Sequence, residues 1–157
     1  MAKKPGVSDA QLILQLYDLR REPEMRKARQ WWMNDFWPGS ADDFLKVAWA
    51  PGTQENRWLR QVAGYWGMAA SFVLQGALSE SLFLVPGFSG EMFMMFGKIY
   101  PFLGDIREKL GDQEFFRDIE QVVTNTKWGR DRLKFLLQRL ESWRGKMQKK
   151  ADESAHT

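Results

Sequence analysis

Residues 61–103 read QVAGYWGMAASFVLQGALSESLFLVPGFSGEMFMMFGKIYPFL, and these forty-three positions hold only three charges, Glu80, Glu91 and Lys98. A segment so poor in charge and so rich in Ala, Gly, Met and aromatics predicts the buried centre of a fold. Across its start, Trp58, Val62, Tyr65, Ala69, Phe72, Val73 and Gly76 recur at helical spacing from near Thr53, which predicts a helix from Thr53 to Leu78. Leu59, Trp66, Ala70 and Leu74 make its other face nearly as apolar, so other helices should surround it. Gly64, Gly67 and Ala70 are the small residues expected to let those neighbours approach closely.

Working outward, helix punctuation repeats and strand punctuation does not. Ser8 with Gln11 reads as a capping box that opens a helix to about Arg21. Pro23 suits a first helical position between Glu22 and Glu24. Met25, Ala28, Trp32 and Phe36 then recur until Pro38-Gly39. Ser40 with Asp43 opens a short third helix that Pro51-Gly52 closes. After the central helix come a short piece at Glu80–Leu84, a turn at Pro86-Gly87, and a helix of Met92, Phe93, Met94, Met95 and Phe96 that Ser89 caps. Pro101 should end or kink that helix, Gly111 should terminate its continuation, and Asp112 should cap a helix holding Phe115, Phe116, Ile119, Val122 and Val123. The predicted fold is a single all-α bundle of about six or seven helices, with the buried helix near 53–78 at its centre.

The last helix, about Gly129–Lys149, sets Leu133, Leu136, Leu140, Trp143 and Met147 at heptad a and d positions. Arg132, Arg139 and Lys146 then fall at g and Arg144 at e. A parallel homodimer would oppose Arg139 with Arg144, so a self-paired zipper is disfavoured. Residues 127–157 carry nine Lys and Arg against four acids, whereas residues 1–126 carry fourteen against sixteen. A tail of net charge +5 on a body of −2 predicts docking on the body itself or on an acidic partner. The expected organisation is a disordered start at 1–7, a helical core at 8–126, the basic amphipathic helix at 127–150 and a disordered tail at 151–157.

A length of 157 residues suits one domain. No Cys is present, which removes disulfides and thiolate chemistry and suits a reducing compartment, so the cytoplasm is expected. The basic start lacks the apolar body of a secretion signal. The uncharged run Gln61–Ser79 contains two Gln and three Gly and starts straight after Arg57 and Arg60, so it predicts a buried helix rather than a membrane span.

The run Leu16-Tyr17-Asp18-Leu19-Arg20-Arg21-Glu22, with Met25-Arg26-Lys27-Ala28-Arg29, Trp31-Trp32, Gln54-Glu55-Asn56, Tyr65-Trp66 and Gly76-Ala77-Leu78, resembles a family of uncharacterised all-helical bacterial proteins. The resemblance spans roughly residues 9–126. It implies an all-helical bacterial protein and carries no activity, cofactor or site.

Candidate chemistry is sparse. Gly87-Phe88-Ser89-Gly90-Glu91 lacks the glycine two positions after Ser that a nucleophile elbow needs, and the only His is His156, in the tail. Gly90 to Gly97-Lys98 has the wrong spacing for a phosphate loop. Glu80 and Glu91 are a conceivable acid–base pair, but both fall in expected first turns, where the helix dipole stabilises a carboxylate without any function. No Glu-x-x-His repeat points to a metal, and no cofactor is implied. Asp18, Arg20, Arg21, Glu22 and Arg107 read as a salt-bridged helix junction.

Two surfaces remain as candidates. Met92, Met95 and Phe96, in a helix with few polar positions, suggest a homo-oligomer interface or a ligand pocket against the ordinary core reading. Arg132, Arg139, Arg144 and Lys146 of the tail suggest an acidic protein partner, with nucleic acid as the less favoured one. The leading functional expectation is a non-enzymatic interaction or regulatory module acting through helix packing. Its rivals are a nucleic-acid binder using the tail helix, and an enzyme or ligand-binding protein using a Met/aromatic pocket with Glu80 and Glu91.

Overall fold

The computed structural model describes residues 4–157. Its elements are α1 (Val7–Arg20), α2 (Pro23–Gln30), a π turn (Trp31–Asp35), α3 (Ala41–Ala48), α4 (Gln54–Leu74), α5 (Glu80–Phe83), α6 (Pro86–Ile99), a 3-10 turn (Tyr100–Phe102), α7 (Leu103–Leu110), α8 (Arg117–Asn125) and α9 (Lys127–Ala155). No strand occurs among the described residues, and the helices pack as one all-α bundle. Residues 1–3 of the expected disordered start lie outside the described residues, and its last residue, Val7, already opens α1.

Several helix starts follow directly from the sequence. Ser40 accepts the Asp43 N–H at 3.1 Å, Thr53 accepts the Asn56 N–H at 3.3 Å, and Pro23 sits in the first turn of α2. Glu22 caps α2 by accepting the Met25 N–H at 2.8 Å, so it is not part of a salt-bridged junction. At the start of α1 the Ser8 box is displaced. Gly6 is the cap, and Asp9 accepts its N–H at 2.8 Å while its other oxygen accepts the Ser79 N–H at 2.8 Å. A buried carboxylate that ties α1 to the cap of α5 outweighs a local box on the surface.

The central helix α4 buries Asn56, Leu59, Val62, Tyr65, Trp66, Ala69, Ala70 and Val73 against α2, α3 and α8. It stops at Leu74 rather than Leu78, because Gly76 takes a left-handed φ of 76° and the N–H groups of Ala77 and Leu78 both bond the Phe72 carbonyl. One stripe of α4 stays open: Arg57, Arg60, Gln61 and Gly64 are exposed. A Cβ placed at Gly64 or Gly67 would meet nothing within 4 Å, so these glycines are not the close-approach points expected of them. Close approach occurs instead where a Cβ on Gly97 of α6 would lie 2.7 Å from Leu140 of α9, and one on Gly129 would lie 2.2 Å from the Val123 carbonyl oxygen.

Three other boundaries move for local reasons. Pro86 does not make a turn but opens α6, which puts Ser89 inside the helix and fully buried rather than at a cap. Asp112 folds a turn by accepting the Glu114 N–H at 2.9 Å, and Phe116, at φ 58°, delays α8 until Arg117. The tail helix starts at Lys127, capped by Thr126, and continues through the expected disordered tail to Ala155, since no Gly or Pro follows Gly145 to stop it.

The core is aromatic and methionine-rich. Trp32, Trp66, Phe44, Phe83, Phe93 and Phe96 are among its fully buried side chains, each contributing about 1.5–3 kcal/mol or more on burial. The π turn makes this possible by bringing two consecutive tryptophans inward: Trp31 stacks on Phe36 at 4.5 Å and Trp32 meets it edge-on at 5.0 Å.

Candidate functional site

Three polar arrangements stand out from this core: two inside the bundle and one on its surface. The first gathers on Glu91. This residue lies in the second turn of α6, where the helix dipole does not explain it, and two arginines hold it. Arg29 of α2 donates to it through both Nε, at 2.8 Å, and a terminal nitrogen, and Arg20 from the end of α1 pairs with it at 3.1 Å. Arg29 also donates to the Arg20 carbonyl at 3.1 Å, and the Arg20 guanidinium lies over the Tyr17 and Trp66 rings at 4.7 and 5.3 Å. Burial opposes the charge on Glu91, yet Arg29 and Arg20 hold its carboxyl below the usual range. Tyr65 donates to the Leu16 carbonyl at 2.7 Å, and burial pushes its phenol up to about 12 against the pull of Arg20 and Arg29. A carboxylate held by both arginines is a lock between α1, α2 and α6.

Glu91 and Glu80, weighed as an acid–base pair, are engaged by different partners. Glu80 stays in the first turn of α5 and accepts from Asn125 at 2.9 Å. Nor does Arg107 join Arg20, since it donates to the Phe115 carbonyl at 2.9 Å and pairs with Glu120 at 3.3 Å. Among the described residues no group of three or more His, Asp or Glu is placed to hold a metal ion.

The second arrangement is Lys98, fully buried on α6. Its three ammonium protons meet the carbonyls of Trp32, of Met33 at 3.0 Å and of Phe36 at 3.0 Å, with the Trp37 ring centroid 3.8 Å away. The π turn frees these carbonyls from regular helix bonding. Arg144 of α9, only 6% exposed, donates to the Lys98 carbonyl at 2.8 Å and to Glu141 at 3.1 Å. Burial pushes Lys98 down to about 7, Arg144 adds to the fall, and Asp35 opposes it. Sequence reasoning counted Lys98 as a charge and missed its role. The available signal was a lysine alone among Phe, Met, Gly and Ile, because a lysine is almost never buried without partners.

The tail-helix candidates divide. Gly129, Leu133, Leu136, Leu140 and Arg144 face the bundle, steps of four, three, four and four residues that run longer than the heptad average of 3.5, while Met147 is 40% exposed. A straight helix drifts about 20° per heptad, which carries Arg144 inward and takes away its expected exposed e position. Arg132, Arg139 and Lys146 lie on one flank, with Phe135 and Trp143 between them and Trp128 one turn before Arg132. Both arginines stack on Phe135, at 5.8 and 5.5 Å, and Arg139 also covers Trp143 at 5.2 Å. Phe135 is 47% exposed and Trp128 42%, the latter meeting Phe93 edge-on at 5.7 Å. Among the described residues neither Arg132, Arg139 nor Lys146 pairs with an acid, whereas Lys127 and Arg144 on the same helix do.

Met92, Met95 and Phe96 are fully buried within the chain itself. The expectation that they form an oligomer face or a ligand pocket is therefore corrected: neighbouring helices, α9 among them, cover α6. Open concavities lie elsewhere. One of about 620 Å3 runs between α4 and Glu114–Ile119, and one of about 370 Å3 is lined by Ala10, Ile13, Leu14, Tyr17, Leu82 and Phe88. Neither contains Glu80, Glu91 or Lys98, whereas a third, of about 480 Å3, is lined by Glu80 together with Leu84, Val85, Pro86, Thr126 and Trp128.

The chain belongs to the DUF4760 family, a domain of unknown function, whose pattern matches residues 5–128. The match covers α1 to α8 and stops just inside α9. No curated protein and no solved structure matches the chain. Among the described residues no helix is long and apolar enough to cross a membrane.

Proposed function

We propose that this chain is a non-enzymatic interaction module, a helical scaffold that presents the basic, aromatic flank of α9 to an acidic partner. One observation carries the reading: Arg132, Arg139 and Lys146 stand on that flank without acid partners among the described residues, while Glu91, Lys98 and Arg144 are engaged in joining helices. Charged groups left unpaired at a surface contribute little to stability, so their presence on an ordered helix suits recognition better than folding. The cytoplasm is the compartment proposed, because a chain without cysteine suits a reducing environment.

Thermal unfolding tests this division of labour. Glu91→Gln leaves two partly buried arginines without their carboxylate and is expected to lower Tm by about 4–8 °C. The double change Arg132→Gln/Arg139→Gln is expected to move Tm by less than about 2 °C. If the flank pair costs as much as Glu91, the flank is part of the fold and the interaction reading falls.

A further inference from the structure

We infer that the α9 flank binds an acidic amphipathic helix of another protein, one that carries carboxylates at heptad spacing with apolar residues between them. This rests on the interaction-module reading and adds the partner's chemistry. The six flank positions alternate without interruption: Trp128, Arg132, Phe135, Arg139, Trp143, Lys146. The three cations are seven residues apart, two turns or about 10 Å along the axis. A second helix lying alongside repeats its own flank at that interval, so one Glu or Asp per heptad meets each cation, and an apolar residue beside them packs on Trp128, which is 42% exposed and has no guanidinium over it among the described residues.

Stacking prepares the arginines for this role. With Phe135 beneath both guanidinia, at 5.8 and 5.5 Å, their planes are held before any partner arrives and their N–H forks stay free for bidentate carboxylate bonds. The same stacking argues against single-stranded nucleic acid, which needs open ring faces for its bases, whereas here guanidinia cover Phe135 and Trp143. A second copy of this chain is also disfavoured, because the flank would meet its own cations.

The test uses the full chain and three labelled probes followed by fluorescence anisotropy at moderate salt. The first is a synthetic helix of about three heptads with Glu at every heptad and Leu between on the same face. The second is an isomer of equal composition with its Glu residues scattered around the helix, and the third is an oligothymidylate of about 20 nucleotides. The expected result is that the heptad helix binds about tenfold or more tightly than either other probe. Arg132→Gln/Arg139→Gln and Phe135→Ala each remove that preference, while Lys149→Gln/Lys150→Gln, with the same loss of charge further along α9, keeps it. Equal binding of the two helices means plain charge attraction and overturns the inference, and so do tighter binding of oligothymidylate and absence of binding to any probe. None of these results bears on the Tm comparison, so the broader reading stands or falls separately.

Discussion

Replacing Lys98 by Met keeps the length of a fully buried side chain and removes three donors at once. The carbonyls of Trp32, Met33 and Phe36 lose their shared partner, and each buried acceptor left unmet costs about 1–3 kcal/mol. Against this, Met ends the desolvation cost of an ammonium, itself several kcal/mol. The balance therefore depends on charge, and pH controls it. The folded protein holds the amine at about 7, below the 10.5 of an ordinary lysine. Between those values the unfolded chain binds one more proton than the folded one, so Lys98 adds stability as pH rises through the window. Its contribution is complete above about 10.5 and is lost as pH falls toward 7. The slope cannot exceed just over 1 kcal/mol per pH unit, which gives about 2–3 kcal/mol between pH 7 and pH 9. Urea unfolding of the wild type and of Lys98→Met at pH 6, 7, 8 and 9 reads this directly. The wild type is expected to gain on the variant by that amount across the upper two units. A difference that stays flat would refute the reasoning, because it would mean that the three carbonyls and the Trp37 ring keep the ammonium charged despite burial.

Glycine substitutions separate open positions from crowded ones. Gly64→Ala, on the exposed stripe of α4 with open space around it, is expected to stabilise by up to about 1 kcal/mol. Gly129→Ala drives a methyl to 2.2 Å from the Val123 carbonyl oxygen and is expected to destabilise by about 2 kcal/mol or more; equal effects in urea unfolding would contradict the packing of α8 on α9. For Tyr65, held at about 12, the folded state keeps a proton that the unfolded state gives up near 10, so stability falls as pH rises from about 10 to 12. Absorbance titration near the phenolate band, compared with Tyr65→Phe, should show this tyrosine ionising at about 12, and ionisation near 10 would show that its bond to Leu16 is not buried.

The sequence conveyed what local chemistry decides. The caps at Ser40 and Thr53, Pro23 in the first turn of α2 and the left-handed Gly111 need only neighbours a few residues away, and the helical spacing of Met25 and Ala28 is enough to mark the buried face of α2. Readings failed where the deciding partner is distant. Glu91 looked like a helix-dipole charge because Arg29 is 62 residues earlier in the chain. The Ser8 box lost to Asp9, whose second partner, Ser79, is 70 residues away. The π turn has no local signature at all, and without it neither the paired inward tryptophans nor the carbonyl seat of Lys98 can be foreseen. In α9 the fault was one of period, since a heptad template applied to a straight helix places Arg144 outside and Met147 inside.

The residues through which the chain resembles its family turn out to be joints. Tyr17 donates to the Gly87 carbonyl, Arg20 and Arg29 grip Glu91, and Asn56 donates to the carbonyls of Val47 and Ala48 at 3.0 and 2.9 Å. Tyr65 bonds Leu16, and Gly76 ends α4. Each of them joins one helix to another or stops one, so in this chain the pattern fixes a way of packing α1 to α8. The α9 helix lies almost wholly beyond residue 128, and its two faces carry different kinds of group. Leu133, Leu136, Leu140 and Arg144 close over Gly97 and the Lys98 carbonyl and complete the core, whereas the flank of Arg132, Phe135 and Arg139 completes nothing inside the chain. A helix whose inner face is required for folding can alter its flank at little cost in stability.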